Sequence, residues 1–256
     1  MQLRSRRLAT GGARPEYSLC RSEEGAALRL TLYSHPLASY CHKILIALYE
    51  AGTVFETVTV DLGDPAQHAR LLGLWPVGKL PVLQDTERNV TLPEATIIID
   101  YLDRVFPGPQ PMLPADPDTC LQARLWDRFF DLYVQGPMQK IVFDSFRPED
   151  QKDHLGVAEA GEQLRQAYAM IERHMTGRVW AAGEHFSLAE CSAAPALFFA
   201  RILQPFDPAQ TALDAYFERL LLRPSFSRVL IEAQPWFESF PFRDRMDARF
   251  QPSVPT

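Results

Sequence analysis

The sequence predicts a small α/β domain followed by an all-helical domain. Between residues 28 and 106, stretches with strand-like alternation and stretches with helical spacing follow one another. Segment 107–117, PGPQPMLPADP, is dense in proline and cannot form a helix interior, so it predicts a stiff linker. From Asp118 onward no stretch has a convincing strand pattern, which indicates a purely helical second domain.

The first half of the α/β domain has the pattern strand, helix, strand. LRLTLYS (28–34) alternates apolar and polar residues, as a half-buried strand does. From Tyr40 to Ala51, apolar residues recur at i, i+3, i+4 and i+7, which makes one face of a helix that Gly52 ends. FETVTVD (55–61) alternates again and predicts a second strand.

A loop region with room for one short helix precedes the second half of this domain. KLPVLQD (79–85) and NVTL (89–92) predict a hairpin, and PEATIIIDYLDRVFP (93–107) predicts a helix with proline at both ends. A βαβ unit followed by ββα is the element order of a thioredoxin-like domain.

Amphipathic patterns define the helical domain. They predict helices at about residues 118–135, 152–176, 187–203, 209–222 and 225–233. FSLAEC (186–191) contains Ser187 followed three residues later by Glu190, a capping box with a hydrophobic staple, and this is a folding signal. Pro195 predicts a kink in the helix that follows.

Composition excludes several classes of function. The chain is 46% hydrophobic and 23% charged, and it has no apolar run near the ~20 residues that a membrane span needs. Its net charge of -6 argues against a general nucleic-acid binder, because neutralising phosphates requires a basic surface. The His and Cys residues lack the spacing of a metal site, so we expect no metal. Widely spaced cysteines predict no disulfide framework and fit a reducing cytoplasm.

The predicted domain boundaries leave a segment at each end. Residues 1–27 are arginine-rich and have no helical or strand period, which predicts a disordered extension or an upstream start codon, with a transit peptide as an alternative. The thioredoxin-like domain then covers 28–106, the helical domain 118–240, and a C-terminal tail 241–256.

Four motifs in this order resemble one known family. SYCHKILIALYEAG, WPVGKLPVL, PEATIIIDYLDRVFP and FSLAECSAAPALF are together similar to the cytosolic glutathione transferases, in particular the bacterial members with a serine-type active site. The resemblance covers Leu28 to about Phe240. It implies that glutathione is the co-substrate, that its thiolate attacks a small apolar electrophile, and that two copies of the chain form a homodimer.

The resemblance implies a glutathione site on the first domain. It implies a cis bond before Pro81, with the backbone of Leu80 pairing with the cysteinyl unit of glutathione and Lys79 beside it; an ordinary edge-strand proline is the alternative. Glu94 would meet the ammonium of the ligand, and the backbone N–H of Ala95 would hold the γ-glutamyl carboxylate. Alternatively, Glu94 only complements the helix dipole.

Two departures from the family pattern concern hydroxyl groups. Relatives have serine where this chain has Ala95, and Thr96 substitutes for it only if the helix start is rotated. The activating serine of the family corresponds to Ala38, with Ser39 one position later.

Ser39 is therefore the candidate catalytic residue. A thiol with a pKa of about 8.5 is only ~3% thiolate at neutral pH, and lowering that pKa by two units takes about 2.7 kcal/mol. A helix N-terminus supplies roughly 0.3–1 kcal/mol, and a hydroxyl that donates to the thiolate adds ~1.5–3 kcal/mol. The alternative is that Ser39 is only the N-cap of its helix.

The other reactive side chains of HPLASYCHK (35–43) have simpler interpretations. We expect Cys41 to be a buried thiol on the apolar helix face, Tyr40 and His42 to point off that face, and Lys43 to be solvated. Tyr33, at the end of the first strand, is a minor alternative as the catalytic hydroxyl.

The function predicted from the sequence is a glutathione transferase. The alternatives are another glutathione-dependent enzyme (an isomerase, lyase or reductive dehalogenase) or a glutathione-binding protein without catalysis. Two aromatic-rich stretches, LWDRFFDLY (125–133) and PWFESFPF (235–242), are either an apolar substrate wall or core.

Overall fold

A computed structural model of the chain describes residues 29–250. It confirms the predicted fold class, a thioredoxin-like α/β domain followed by a helical domain. The predicted extension 1–27 and residues 251–256 of the predicted tail lie outside the described residues. Within the described part of the chain, no helix is long and apolar enough to span a membrane.

A four-stranded mixed sheet forms the centre of the first domain. Its strands are β1 (Leu30–Ser34), β2 (Glu56–Thr59), β3 (Val82–Asp85) and β4 (Val90–Pro93). They lie in the order β2-β1-β3-β4, with β2 parallel to β1 and the other two pairings antiparallel. The predicted strands and the hairpin are thereby confirmed.

Three helices complete the first domain: α1 (Ser39–Ala51), α2 (Pro65–Leu74) and α3 (Ala95–Val105). Gly52 ends α1 with a φ of 65°, a left-handed conformation that glycine adopts without steric cost. Helix α2 is the short helix for which the sequence left room, and the Asp64 side chain caps it by accepting from two backbone N–H groups.

Six helices make up the described part of the second domain: α4 (Pro117–Phe129), α5 (Gly136–Ser145), α6 (His154–Met175), α7 (Leu188–Leu203), α8 (Thr211–Leu221) and α9 (Pro224–Ala233). The predicted capping box is present at the start of α7, where Glu190 is buried and also bonds the Ala181 N–H and the Tyr216 hydroxyl. This box therefore joins α7 to α8 and to the loop before it.

The prediction of a single helix over 118–135 was incomplete. Helix α4 ends at Phe129, a π-helical segment follows over Phe130–Gln135, and α5 follows it directly, so the three form one continuous helix. In a regular α-helix, Pro137 would lack the N–H for one hydrogen bond, and its ring would clash with a carbonyl one turn earlier. The wider π-helical turn before it accommodates the missing hydrogen bond and the ring.

Helix α1 is the main contact between the two domains. Its apolar face packs in one continuous core with α7, whose residues are nearly all buried. At its C-terminal end, Glu50 pairs with Arg223 at 2.6 Å, and the Tyr49 hydroxyl donates to Glu232. Helix α1 is therefore held in a fixed position relative to the helical domain.

Candidate functional site

Three backbone segments meet at one edge of the sheet. Tyr33 at the end of β1 lies opposite Val82 at the start of β3, and Val82 lies opposite Pro93 at the end of β4. The start of α1, the peptide before Pro81 and the start of α3 therefore share this edge. Because the first N–H groups of a helix have no intrahelical acceptor, the edge presents two helix N-termini with free donors.

Ala38, and not Ser39, is the N-cap of α1. Ala38 has extended φ/ψ angles and offers no side-chain cap, while Ser39 is the first helical residue. Ala38 N–H donates to the His35 carbonyl at 2.9 Å, which closes the turn before the helix. The interpretation of Ser39 as a helix cap is wrong.

The hydroxyl of Ser39 is bonded to the helical domain. Ser39 is 6% exposed, and its Oγ accepts a hydrogen bond from Nε2 of Gln135, the last residue of the π-helical segment. Gln135 is itself buried. An accepted bond leaves the proton of the hydroxyl available for another acceptor.

Cys41 and His42 hold the loop in front of α1 from below. The Nε2–H of His42 donates to the Pro36 carbonyl at 2.6 Å, and the Cys41 thiol bonds the backbone of His35. Both side chains are fully buried, so the prediction for Cys41 is confirmed, whereas the prediction that His42 points off the buried face is wrong.

Burial also sets the protonation of these two groups. It raises the pKa of the Cys41 thiol to about 12 and lowers the pKa of His42 to about 4. Cys41 is therefore an inert thiol at neutral pH. His42 is neutral, and its Nδ1 is a buried acceptor with no hydrogen-bond partner among the described residues.

Lys43 is buried, and the prediction that it is solvated is wrong. Its side chain is 1% exposed, and its Nζ lies 2.6 Å from Asp127 Oδ1 and 2.9 Å from Asp131 Oδ2. Nζ also donates to the Thr96 hydroxyl at 2.9 Å. Burial raises the pKa of Asp131, and the charge of Lys43 opposes that shift.

This cluster engages the hydroxyl nearest to the start of α3. Thr96 accepts from Lys43 and donates to Asp127 at 2.9 Å. Its oxygen is thus bonded to the domain interface, so Thr96 does not take the place of the serine missing at Ala95. The N–H of Ala95 remains at the helix start.

Glu94 precedes α3 in an unusual conformation. Its φ is 68° and its ψ is 113°, and its side chain makes no capping hydrogen bond. A non-glycine residue held at positive φ costs about 1–3 kcal/mol, and such residues concentrate at functional sites. The Glu94 side chain is exposed beside the helix start.

The Leu80–Pro81 bond is cis, as the family resemblance implied. Pro81 is buried, Leu80 is half-buried and Lys79 is exposed. The backbone of Leu80 therefore lies at the sheet edge between the two helix N-termini.

The side chain of Tyr33 makes its contacts away from this edge. Its hydroxyl donates to Gln84 Oε1 at 2.7 Å, and its ring packs in a small separate core with Val60, Leu71 and Val82. That core lies between the sheet and α2. The arrangement gives no support to Tyr33 as the catalytic hydroxyl.

Most of the two aromatic stretches is core. Trp126, Phe129 and Phe130 are buried in the first stretch, as are Phe237 and Phe240 in the second. Trp236 differs, because it is half-buried and its ring meets His35 edge-on at 5.3 Å between centroids. The C-terminal segment thus reaches the loop in front of α1.

The described residues contain no group of three or more side chains able to hold a metal ion.

Comparison with known proteins identifies the family. The sequence profile of the glutathione S-transferase N-terminal domain matches residues 32–110, and that of the C-terminal domain matches residues 135–224. The chain belongs to the glutathione S-transferase family.

Relatives of this glutathione S-transferase family member carry two kinds of name. A stringent starvation protein A homolog of Pasteurella multocida is 32% identical over 208 residues, covering 80% of this chain and 92% of the relative. A glutathione S-transferase of Pseudomonas putida is 30% identical over 161 residues, covering 63% of this chain and 70% of the relative.

A solved relative has the same architecture. The glutathione S-transferase of Methylobacterium radiotolerans, solved in complex with glutathione sulfonate, is 28% identical with a TM-score of 0.70, covering 79% of this chain and 94% of that one.

Sequence reasoning missed two polar contacts of this family member. Gln135 lies in a segment predicted as ordinary helix, and Lys43 lies on the side of α1 away from its predicted apolar face. Lys43 is 53 residues from Thr96 and 88 residues from Asp131 in the sequence, so no local pattern connects them. The one available signal was the pair Asp127 and Asp131, spaced i, i+4 on a predicted helix.

Proposed function

We propose that this protein binds glutathione at the edge formed by the starts of α1 and α3, and conjugates its thiolate to a small apolar electrophile. The observation that carries the proposal is the meeting of two helix N-termini and the Leu80 backbone at one sheet edge. This arrangement offers backbone donors and acceptors to a peptide-like anion. The glutathione sulfonate bound to the Methylobacterium relative supports the choice of ligand.

The cysteinyl and γ-glutamyl units of glutathione each have partners of suitable chemistry. The N–H and C=O of Leu80 pair with the cysteinyl backbone, as a neighbouring strand would. The γ-glutamyl carboxylate accepts from the N–H of Ala95, and its ammonium meets the carboxylate of Glu94. Lys79 is exposed next to Leu80, within the same loop.

Groups at the start of α1 stabilise the thiolate of glutathione. The N–H groups of the first turn face the sheet edge, and Ser39 has a proton to donate because its oxygen already accepts from Gln135. Together these supply roughly the 2.7 kcal/mol that lowers a thiol pKa by two units. Ser39 is the proposed catalytic residue, in the role that the family gives to the residue at Ala38.

The electrophile would approach between the two domains. Trp236 lies against His35, one turn before the start of α1, and presents an apolar surface there. The reaction gains its rate from holding the two reactants together and from the raised thiolate fraction. Another glutathione-dependent enzyme, such as an isomerase, lyase or reductive dehalogenase, would use the same contacts.

A glutathione-binding protein without catalysis is the second candidate. It is favoured by Ala38 at the N-cap, by Ala95, and by the engagement of Thr96 in the domain interface. The name of the Pasteurella relative, which is not that of an enzyme, also favours it.

Binding and turnover separate the two candidates. Calorimetry with glutathione, followed by a spectrophotometric assay with a generic chloro-aromatic electrophile, should show both binding and conjugation. Binding with no turnover would favour the second candidate, and no binding at millimolar glutathione would contradict both. We expect the protein to act as a homodimer in the cytoplasm.

A further inference from the structure

The π-helical segment Phe130–Gln135 places two polar side chains against α1. Asp131 reaches Lys43, and Gln135, four residues later, reaches Ser39. Gln135 is 2% exposed, so its amide is a buried polar group of the domain interface, and Ser39 is its hydrogen-bond partner. Helices containing π-turns often carry functional residues at the turn.

The direction of the hydrogen bond decides what Ser39 can do. Nε2 of Gln135 donates and Ser39 Oγ accepts. A hydroxyl that accepts from an amide keeps its own proton for a different partner, and the accepted bond polarises that proton further. A side chain that accepted from Ser39 would instead withdraw this proton from the sheet edge.

We propose that Gln135 is a positioning residue that holds the Ser39 hydroxyl as a donor toward the sulfur of glutathione. The inference rests on the proposed function and adds a residue of the helical domain to the thiolate site. It makes the hydroxyl of Ser39 dependent on the π-helical segment, and thus links thiol activation to the packing of the two domains.

The test is a double-mutant cycle on the full chain with glutathione as the probe. Gln135→Met removes the donor at similar volume, Gln135→Glu replaces the donor by an acceptor, and Ser39→Ala removes the hydroxyl. The ultraviolet absorbance of the thiolate gives the pKa of bound glutathione for each variant. Circular dichroism shows whether each variant is folded. If Gln135→Met does not fold, Gln135→Asn replaces it, because the shorter side chain cannot reach Ser39.

Gln135→Met should raise the pKa of bound glutathione by about 0.5–1 unit, because the hydroxyl loses its fixed orientation. Gln135→Glu should raise it at least as far. In the Ser39→Ala background, Gln135→Met should cause no further rise, since two residues that act through one contact are not additive.

A shift of equal size in both backgrounds, or no shift from Gln135→Met in the wild-type background, would overturn the inference. If Ser39→Ala raises the pKa of bound glutathione while the Gln135 variants do not, the proposed function is supported and only the role of Gln135 is contradicted. A wild-type protein that binds no glutathione would overturn the proposed function and this inference with it.

Discussion

The ammonium of Lys43 lies 2.6 Å from a carboxylate oxygen of Asp127, and both side chains are 1% exposed. This buried ion pair joins α1 of the thioredoxin-like domain to α4 of the helical domain, about one helical turn from Ser39. A buried charge is tolerated only when it is paired and hydrogen-bonded, and here Asp131 and Thr96 complete the set.

Lys43→Met should destabilise the fold by about 3–5 kcal/mol, because it leaves two buried carboxylates without their cation. Urea denaturation followed by circular dichroism measures the free energy of unfolding. The matched control is Lys152→Met, which removes the exposed ion pair with Glu149 and should change stability by less than about 1 kcal/mol. Equal effects of the two substitutions would show that the Lys43 cluster is not a buried interaction.

The free energy of unfolding should decrease as pH is lowered, because of His42. Its pKa is about 4 in the folded protein, below the ordinary 6.5, since burial disfavours the charged ring. The unfolded chain therefore binds a proton first as pH falls, so the stability present above pH 6.5 is lost progressively toward pH 4, by up to about 3 kcal/mol.

The variant His42→Gln isolates this contribution. Glutamine keeps a donor for the Pro36 carbonyl but does not titrate, so the difference in unfolding free energy between variant and wild type should change across pH 6.5 to 4. His174, whose pKa is also lowered by burial, contributes equally to both proteins and cancels. The charge of His35 helps to lower the pKa of His42, so its effect on His42 is part of the measured difference. A difference that is constant over this range would contradict the assignment.

Glu94→Gly should stabilise the fold and weaken glutathione binding together. Glycine relieves the positive φ, for a net gain of about 1 kcal/mol, and the loss of the carboxylate should raise the Kd for glutathione about tenfold or more. Asn89→Gly is the control, since Asn89 also has a positive φ but lies in the hairpin turn at the opposite end of β3 and β4. It should leave the Kd unchanged, and an unchanged Kd for Glu94→Gly would exclude Glu94 from the ligand site.

Much of the local structure could be predicted from the sequence because it depends on near neighbours. The apolar spacing of α1, the capping box of α7 and the proline-bounded helix α3 each express an interaction within one or two turns. The burial of Cys41 followed from its place in the same periodic set.

The contacts that complete the site could not be predicted, because they join distant parts of the chain. Lys43 meets Asp127 and Ser39 meets Gln135 only after the helical domain has packed on α1. A lysine on the side of a helix away from its apolar face has the same local pattern whether it is solvated or buried with a partner. Sequence reasoning therefore assigned it to the more common, solvated state.

The outer face of α4 should be the centre of a homodimer interface. Leu121 and Leu125 lie one turn apart and are 63% and 55% exposed, which is unusual for leucine pairs on a helix. Light scattering at micromolar concentration should give about twice the chain mass of 29.1 kDa. Leu125→Glu should yield a monomer, whereas Leu222→Glu, at an exposed position after α8, should not; a wild-type monomer would contradict the proposed assembly.

The most direct test of the proposed function is the titration of glutathione bound to the wild-type protein and to Ser39→Ala. We expect the thiol of bound glutathione to ionise below its free pKa of about 8.5 in the wild type, and at least one unit higher in Ser39→Ala, since a charge-assisted hydrogen bond is lost. Turnover at pH 7 should fall in parallel. A thiolate pKa that is the same in both proteins, with only a lower melting temperature for Ser39→Ala, would show that Ser39 serves the domain interface and not the thiolate.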